Sequence, residues 1–180
     1  PDYSQLARYE PPVATRIHAG NGALLAEFAT QKRVFVTTKA IPPMLIEAFL
    51  SAEDKSFYSH VGVDPVALAR AVATNIAAIG SGRRLIGAST ITQQVAKNFL
   101  LTNEVSIDRK IKEAILAIRM ERAFSKDQIL ALYLNEIYLG SGSYGVAAAA
   151  LNYFDKALGQ LDLHEVAYLA ALPKAPSNYH

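Results

Sequence analysis

At 180 residues the chain has the length of one domain with at most a small attachment, enough to bury a respectable core. Hydrophobic residues make up 51% of it and charged ones 19%, yet no uninterrupted apolar run reaches the roughly 20 residues that span a bilayer, and no signal peptide stands at its start. A net charge of +2 is too small to argue for nucleic acid, and zero cysteines exclude disulfides and thiolate metal sites without fixing the compartment.

Residues 1–12 are polar and end in Glu10-Pro11-Pro12, which reads as an extended linker. Val13–Ile17 and Leu24–Phe28 flank Gly20-Asn21-Gly22 and are predicted to form a β-hairpin, with Val34–Thr37 as a third strand. So small a sheet is marginal alone. From Ile41 onward the signals are helical. Pro42 and Pro43 suit the first helical positions, where no backbone donor is lost, and Leu45, Ile46, Phe49 and Leu50 repeat at helical spacing. That helix runs into Glu53, near the negative end of its dipole and among apolar neighbours. Such surroundings disfavour the charged form of a carboxylate and suit it to general acid–base work near neutrality. A solvated glutamate at a helix end is the plainer alternative.

Asp64-Pro65 is an N-cap and first-turn pair opening a helix from about Val66 to Ile79, ended by Gly80 and Gly82. Its second half has almost no polar face and Arg83-Arg84 follow at once. An ordinary core helix explains this, and so does an element grazing an anionic lipid surface. Ser89 or Thr90 caps the next helix, Gln93 completing a capping box with Thr90, and Ser89, Gln93 and Lys97 are predicted to form one polar stripe from the helix N-terminus. Hydroxyl, amide and ammonium donors beside free backbone N–H groups suit an anion. Ser106 caps a further helix whose buried stripe is predicted to be Ile107, Ile111, Ala114, Ile115 and Ile118, with Arg109, Lys110, Lys112 and Glu113 on its flank. Arg109 and Glu113 are also spaced as a plain surface ion pair. Ser125 and Gln128 form another capping box before Ile129–Tyr138. Gly140–Gly145 reads as a flexible loop, Val146–Leu151 as an Ala-rich helix, and Asp162 with Glu165 as the cap of a last helix ended by Pro173.

Three stretches thus bring a tuned carboxylate, a polar anion-binding stripe and a cation cluster with a second carboxylate. A glycosidase needs two carboxylates and has little use for Lys97, Arg109 and Lys110. The cations suggest a bound phosphate or pyrophosphate, which departs readily once neutralised while one carboxylate serves as base. No glycine-rich phosphate loop follows a strand, so a lipid-linked sugar donor fits better than a free nucleotide sugar.

The runs Glu53-Asp54-x-x-Phe57-x-x-His60-x-Gly62, Gly87-x-Ser89-Thr90-Ile91-Thr92-Gln93-Gln94 with Lys97-Asn98, Arg109-Lys110-x-x-Glu113, and Ile129-Leu130-x-x-Tyr133-Leu134-Asn135-x-x-Tyr138-x-Gly140 stand in one order. In these the chain resembles the peptidoglycan glycosyltransferase domain of class A penicillin-binding proteins, glycosyltransferase family 51, from about residue 41 to the end. The resemblance implies a mainly α fold: a lysozyme-like helical lobe with a smaller, membrane-associated jaw lobe near residues 55–86, preceded by the short β-hairpin segment. Residues 1–40 are then linker and β segment, and residues 41–180 the glycosyltransferase domain.

It implies further that lipid II is polymerised by inverting transfer with release of undecaprenyl pyrophosphate. Glu53 matches the catalytic base and Glu113 the second acidic residue, whose role is positioning, electrostatics or holding a divalent metal. Lys97, Arg109 and Lys110 match groups that neutralise the pyrophosphate, and Ser89, Gln93 and Gln94 match contacts to sugar and phosphate. His60, Phe57 and Gly62 are read as supports of the Glu53 turn. No cofactor is required, with a divalent cation (Mg or Mn) allowed. The implied partners are lipid II, the growing glycan chain, a membrane surface, a linked transpeptidase domain and an N-terminal anchor, with no nucleic acid. The implied location is the outward, periplasmic face of the cytoplasmic membrane. The abrupt ends at Pro1 and His180 fit a piece of something longer. The chain departs from the family pattern at Ile86, at Val105, where an arginine is frequent, and at Ala131. Val105 removes one phosphate contact of the family pattern, for which Arg83 or Arg84 would compensate. A hydrolase or lytic transglycosylase that cleaves glycan strands, and a non-catalytic module that binds lipid-linked saccharide, are the rival readings.

Overall fold

The computed structural model describes residues 15–21, 24–28, 32–79, 87–100 and 106–174. The expected 1–12 linker, the helix-ending Gly80 and Gly82, the Arg83-Arg84 pair, Ile86 and Val105 lie outside the described residues. Within them the fold is mainly α, with helices α1 (Pro43–Glu53), α2 (Pro65–Ala77), α3 (Ile91–Leu100), α4 (Ile107–Ala123), α5 (Lys126–Glu136), α6 (Val146–Phe154) and α7 (Leu163–Ala171). Strands β1 (Thr15–His18) and β2 (Leu24–Phe28) make the expected antiparallel hairpin, with a bulge between Ile17 and His18. The described residues divide into two compact units. One is Glu53–Leu130; the other is the described part of Arg8–Ala52 and Ala131–His180.

In the second unit Leu45 and Phe49 of α1 are fully buried, and Phe49 meets Tyr133 edge-on at 6.3 Å between ring centroids. The third strand differs from expectation. β3 is Lys32–Arg33, pairing parallel with β4 (Ser143–Tyr144). Residues 34–37 are not a strand, because Val36 finds its partner in a side chain. Its N–H donates to Asn135 Oδ1 at 2.8 Å and its carbonyl accepts from Asn135 Nδ2 at 2.9 Å. Arg33 pairs with Glu136 and stacks 4.5 Å from the centroid of Tyr144. The stretch read as a flexible loop is a built turn instead. Ser143 N–H donates to Gly140 O at 2.8 Å, Leu139 N–H to Ser143 O at 3.0 Å and Gly145 N–H to Ile137 O at 2.9 Å. Gly145 has φ +82, and a Cβ there would stand 2.4 Å from the carbonyl oxygen of Asn135, so only glycine lets α6 start against α5. The Ala-rich α6 runs to Phe154, three residues past expectation, with Ala147–Ala150 buried. Asp162 N–H donates to Glu165 Oε2 at 2.8 Å, as the predicted cap requires.

In the first unit two predicted faces turn out differently. α2 starts as expected, Asp64 Oδ1 accepting Ala67 N–H at 2.9 Å, but it is no core helix. Ala71 alone is buried, while Val66, Leu68, Val72 and Ile76 are all exposed. α4 carries its predicted apolar stripe on the outside: Ile107, Ile111 and Ile115 are 83%, 53% and 46% exposed. Leu116, Ala117 and Met120 are buried instead, and Glu113 with them. Both faces of α4 hold apolar residues. The inward one is chosen by backbone approach, since the loop at Gly62 lies directly on Ala117.

Candidate active site

Glu53 is the last residue of α1 and is half-buried, as expected. Gln94 Nε2 of α3 donates to its Oε2 at 2.9 Å, while Oε1 is buried from solvent with no hydrogen-bond partner. One oxygen is held and the other is bare. A carboxylate in that state has an acceptor ready for an incoming proton.

The neighbouring carboxylate does the positioning. Asp54, buried, accepts Ile91 N–H at 2.9 Å at the free N-terminus of α3 and faces His60 Nε2 at 3.0 Å. Gly62 N–H donates to His60 Nδ1 at 3.1 Å, so the ring proton sits on Nε2 and points at Asp54. Gly62 has φ +93, and a Cβ there would stand 2.6 Å from the carbonyl carbon of Ala117. Its own carbonyl accepts the Thr90 hydroxyl at 2.6 Å. Phe57 is buried beneath, its ring edge-on to His60 at 6.1 Å. His60, Phe57 and Gly62 thus shape the turn after Glu53. Asp54, given no role from sequence, and Thr90, read from sequence as a helix cap, anchor that turn to α3; the signal available for Asp54 was its place directly after Glu53 in the first motif.

The predicted capping box is present, with Thr90 N–H to Gln93 Oε1 at 3.0 Å and Gln93 N–H to Thr90 Oγ1 at 3.1 Å. It changes the expected stripe. α3 begins at Ile91, so Ser89 precedes the helix, and Gln93 is buried with its carbonyl committed to the cap. Gln94, not Gln93, meets Glu53. Lys97 lies three residues beyond Gln94, on the same side of α3, and makes no hydrogen bond or ion pair among the described residues.

The cations cluster at the start of α4. Ser106 Oγ caps it by accepting Arg109 N–H at 3.1 Å. Lys110 Nζ donates to Ser89 Oγ at 2.9 Å and lies 2.7 Å from Glu113 Oε2, an ion pair whose angles fall short of a hydrogen bond. Arg109 Nη1 lies 3.9 Å from Glu113 Oε1, and its Nε is buried without a partner. Glu113 is therefore a buried anion between two cations. It holds Lys110 and Arg109 side by side, each with donors left over for a further anion.

Comparison with known proteins decides the lineage. The family model described as Transglycosylase matches residues 21–180. The chain belongs to the transglycosylase family. It is a peptidoglycan glycosyltransferase domain of the class A penicillin-binding protein kind, as its motifs imply. It is 59% identical to Penicillin-binding protein 1A of Rickettsia felis over 98% of its own length and 22% of that protein's. It is 51% identical to Penicillin-binding protein 1A of Aquifex aeolicus and 48% identical to that of Escherichia coli, each over its whole length and covering 24% and 21% of those proteins. The transglycosylase domain thus spans about a fifth of these relatives. A crystal structure of Penicillin-Binding Protein 1A from Haemophilus influenzae matches 94% of the chain and 15% of that protein at a TM-score of 0.44 and 28% identity.

Proposed function

We propose that this transglycosylase domain polymerises lipid II with Glu53 as general base. The observation that carries the reading is the Glu53 carboxylate, one oxygen fixed by Gln94 and the other buried and unpartnered. The bare oxygen takes the proton from the C4 hydroxyl of the acceptor as that oxygen attacks the anomeric carbon of the donor, the growing chain. The bond from that carbon to the pyrophosphate oxygen breaks, its configuration inverts from α to β, and undecaprenyl pyrophosphate leaves. Lys97, Arg109 and Lys110 neutralise the charge that develops on the leaving group. Glu113 acts by holding two of them in place, and Ser89, bonded to Lys110, contributes a hydroxyl beside the phosphates. Gln93 acts through the cap of α3, with its amide nitrogen left to a substrate contact.

A divalent cation suits this donor set poorly. Glu113 faces Lys110 and Arg109, and magnesium or manganese needs several oxygen ligands where a cation already stands. Among the described residues, the group with metal-like spacing is Asp162, His164 and Glu165, and there Lys156 Nζ already lies 3.2 Å from Asp162 and 2.8 Å from Glu165. No helix among the described residues is long and apolar enough to cross a membrane. We infer that the domain works at the outer face of the cytoplasmic membrane, linked to a transpeptidase domain and an N-terminal anchor. The exposed apolar side chains of α2 and the greater length of the relatives support this.

The test is incubation with labelled lipid II. Wild type is expected to make long glycan strands, and Glu53→Gln to lower the rate about a hundredfold or more with an unchanged circular dichroism spectrum. Fragments from pre-formed strands without polymer would point to a glycan-cleaving enzyme instead. Full activity in the variant would remove Glu53 from the chemistry.

A further inference from the structure

One buried carboxylate that the transfer chemistry does not use ties together three helices and the turn after Glu53. Glu121, near the end of α4, has a side chain 7% exposed. Its Oε1 accepts the Thr92 hydroxyl at 2.6 Å and faces Lys126 Nζ at 2.7 Å. Thr92, fully buried, is the second residue of α3 and stands two before Gln94. Lys126, the first residue of α5, also lies 4.4 Å from the ring centroid of Phe57. Next to it, Asp127 accepts the Tyr58 hydroxyl at 3.1 Å, and Tyr58 packs edge-on against Phe57.

A buried acid–ammonium pair is a weak source of stability, since apolar residues of the same volume often do as well. A hydroxyl and an ammonium converging on one carboxylate oxygen do, however, specify its position. Here the positions matter. Asp54 grips α3 at Ile91 and Glu121 grips it at Thr92, about 100° further round the helix. Two grips on different sides of one turn fix the rotation of α3 about its axis, and that rotation aims the Gln94 amide at Glu53. Through Lys126 the same carboxylate bears on Phe57, the floor of the turn that follows Glu53. We propose that Glu121 is a positioning residue for glycosyl transfer, locking α3 at the rotation in which Gln94 holds the Glu53 carboxylate. The proposal rests on the reading of Glu53 as the base.

The test uses the full-length protein and labelled lipid II, with kcat and KM measured for Glu121→Gln, Thr92→Val, Thr92→Ser, Gln94→Ala, Glu53→Gln and the double variant of Glu121→Gln with Gln94→Ala. Glu121→Gln and Thr92→Val should each lower kcat about tenfold with little change in KM, the scale of a small misplacement of reacting groups, while Thr92→Ser keeps the hydroxyl and the rate. In the Gln94→Ala background, Glu121→Gln should cost less than about twofold, because the contact it supports is already gone. Should Glu121→Gln fail to fold, Thr92→Val carries the test with the Glu121–Lys126 pair intact. Unchanged kcat in the folded variants, or losses that multiply independently of Gln94, would overturn the proposal even with Glu53→Gln inactive. An active Glu53→Gln would instead overturn the base on which it rests.

Discussion

Glu53, Asp54 and Gly62 divide the work of the site among three kinds of residue chemistry. Glu53 keeps a bare oxygen because Gln94 occupies only one side of it. Asp54, its neighbour in sequence, has both sides taken by His60 and the Ile91 N–H and so serves as an anchor. Gly62 makes the anchor geometrically permissible. Its positive φ already disfavours a side chain, and a Cβ would enter the backbone of Ala117 at 2.6 Å. Backbone cannot rotate out of the way as a side chain would. Gly62→Ala is therefore expected to destabilise the fold by about 2–4 kcal/mol, read as a lower urea midpoint with unchanged m-value. A midpoint within error of wild type would mean that the turn is not held against α4.

Among the helices, α4 shows how pattern and packing part company. Its isoleucines repeat at helical spacing and its other face offers Leu116, Ala117 and Met120, so the sequence supports two orientations. In the fold the isoleucines face out and Glu113 faces in, which is what brings the two cations onto one carboxylate. The orientation has a direct consequence for stability. Ile107→Ser, Ile111→Ser and Ile115→Ser should each change the folding free energy by no more than about 0.5 kcal/mol, whereas Leu116→Ala should cost about 2–5 kcal/mol. Denaturant titration of the four variants checks this, and a reversed order would turn the helix over. The helix starts were far easier to read, because a cap is closed within four residues: Ser125 with Gln128, Asp162 with Glu165, Thr90 with Gln93 and Asp64 with Ala67.

For the molecule as a whole, the charged groups set a window of stability against pH. Asp64 is held below its ordinary value of 3.8, chiefly by the Ala67 N–H, and Glu165 below 4.5, chiefly by its bond from Lys156. A depressed folded value means that each contributes stability above its unfolded value and loses it as pH falls through the folded one. Lys156 is raised above 10.5, chiefly by Glu165, and burial raises Tyr58 and Tyr153 above 10.0. Their contributions are complete below the unfolded values and fade as pH climbs through the folded ones. The urea midpoint should accordingly be flat between about pH 5 and pH 9 and fall on both sides, most steeply below about pH 4. Asp64→Ala should lower the plateau by about 1 kcal/mol and shallow the acid limb, and an unchanged acid limb would remove Asp64 from it. From the sequence alone came the helical class, the hairpin, the helix caps and the acid at the end of α1. All of these rest on interactions within a few residues, which local composition and spacing determine. The folded chain decided which face of α4 and of α2 is covered, which glutamine meets Glu53 and where Glu121 points. Those depend on Gly62 touching Ala117, Asp54 reaching Ile91 and Thr92 reaching Glu121, pairs far apart along the chain whose meeting no local pattern encodes.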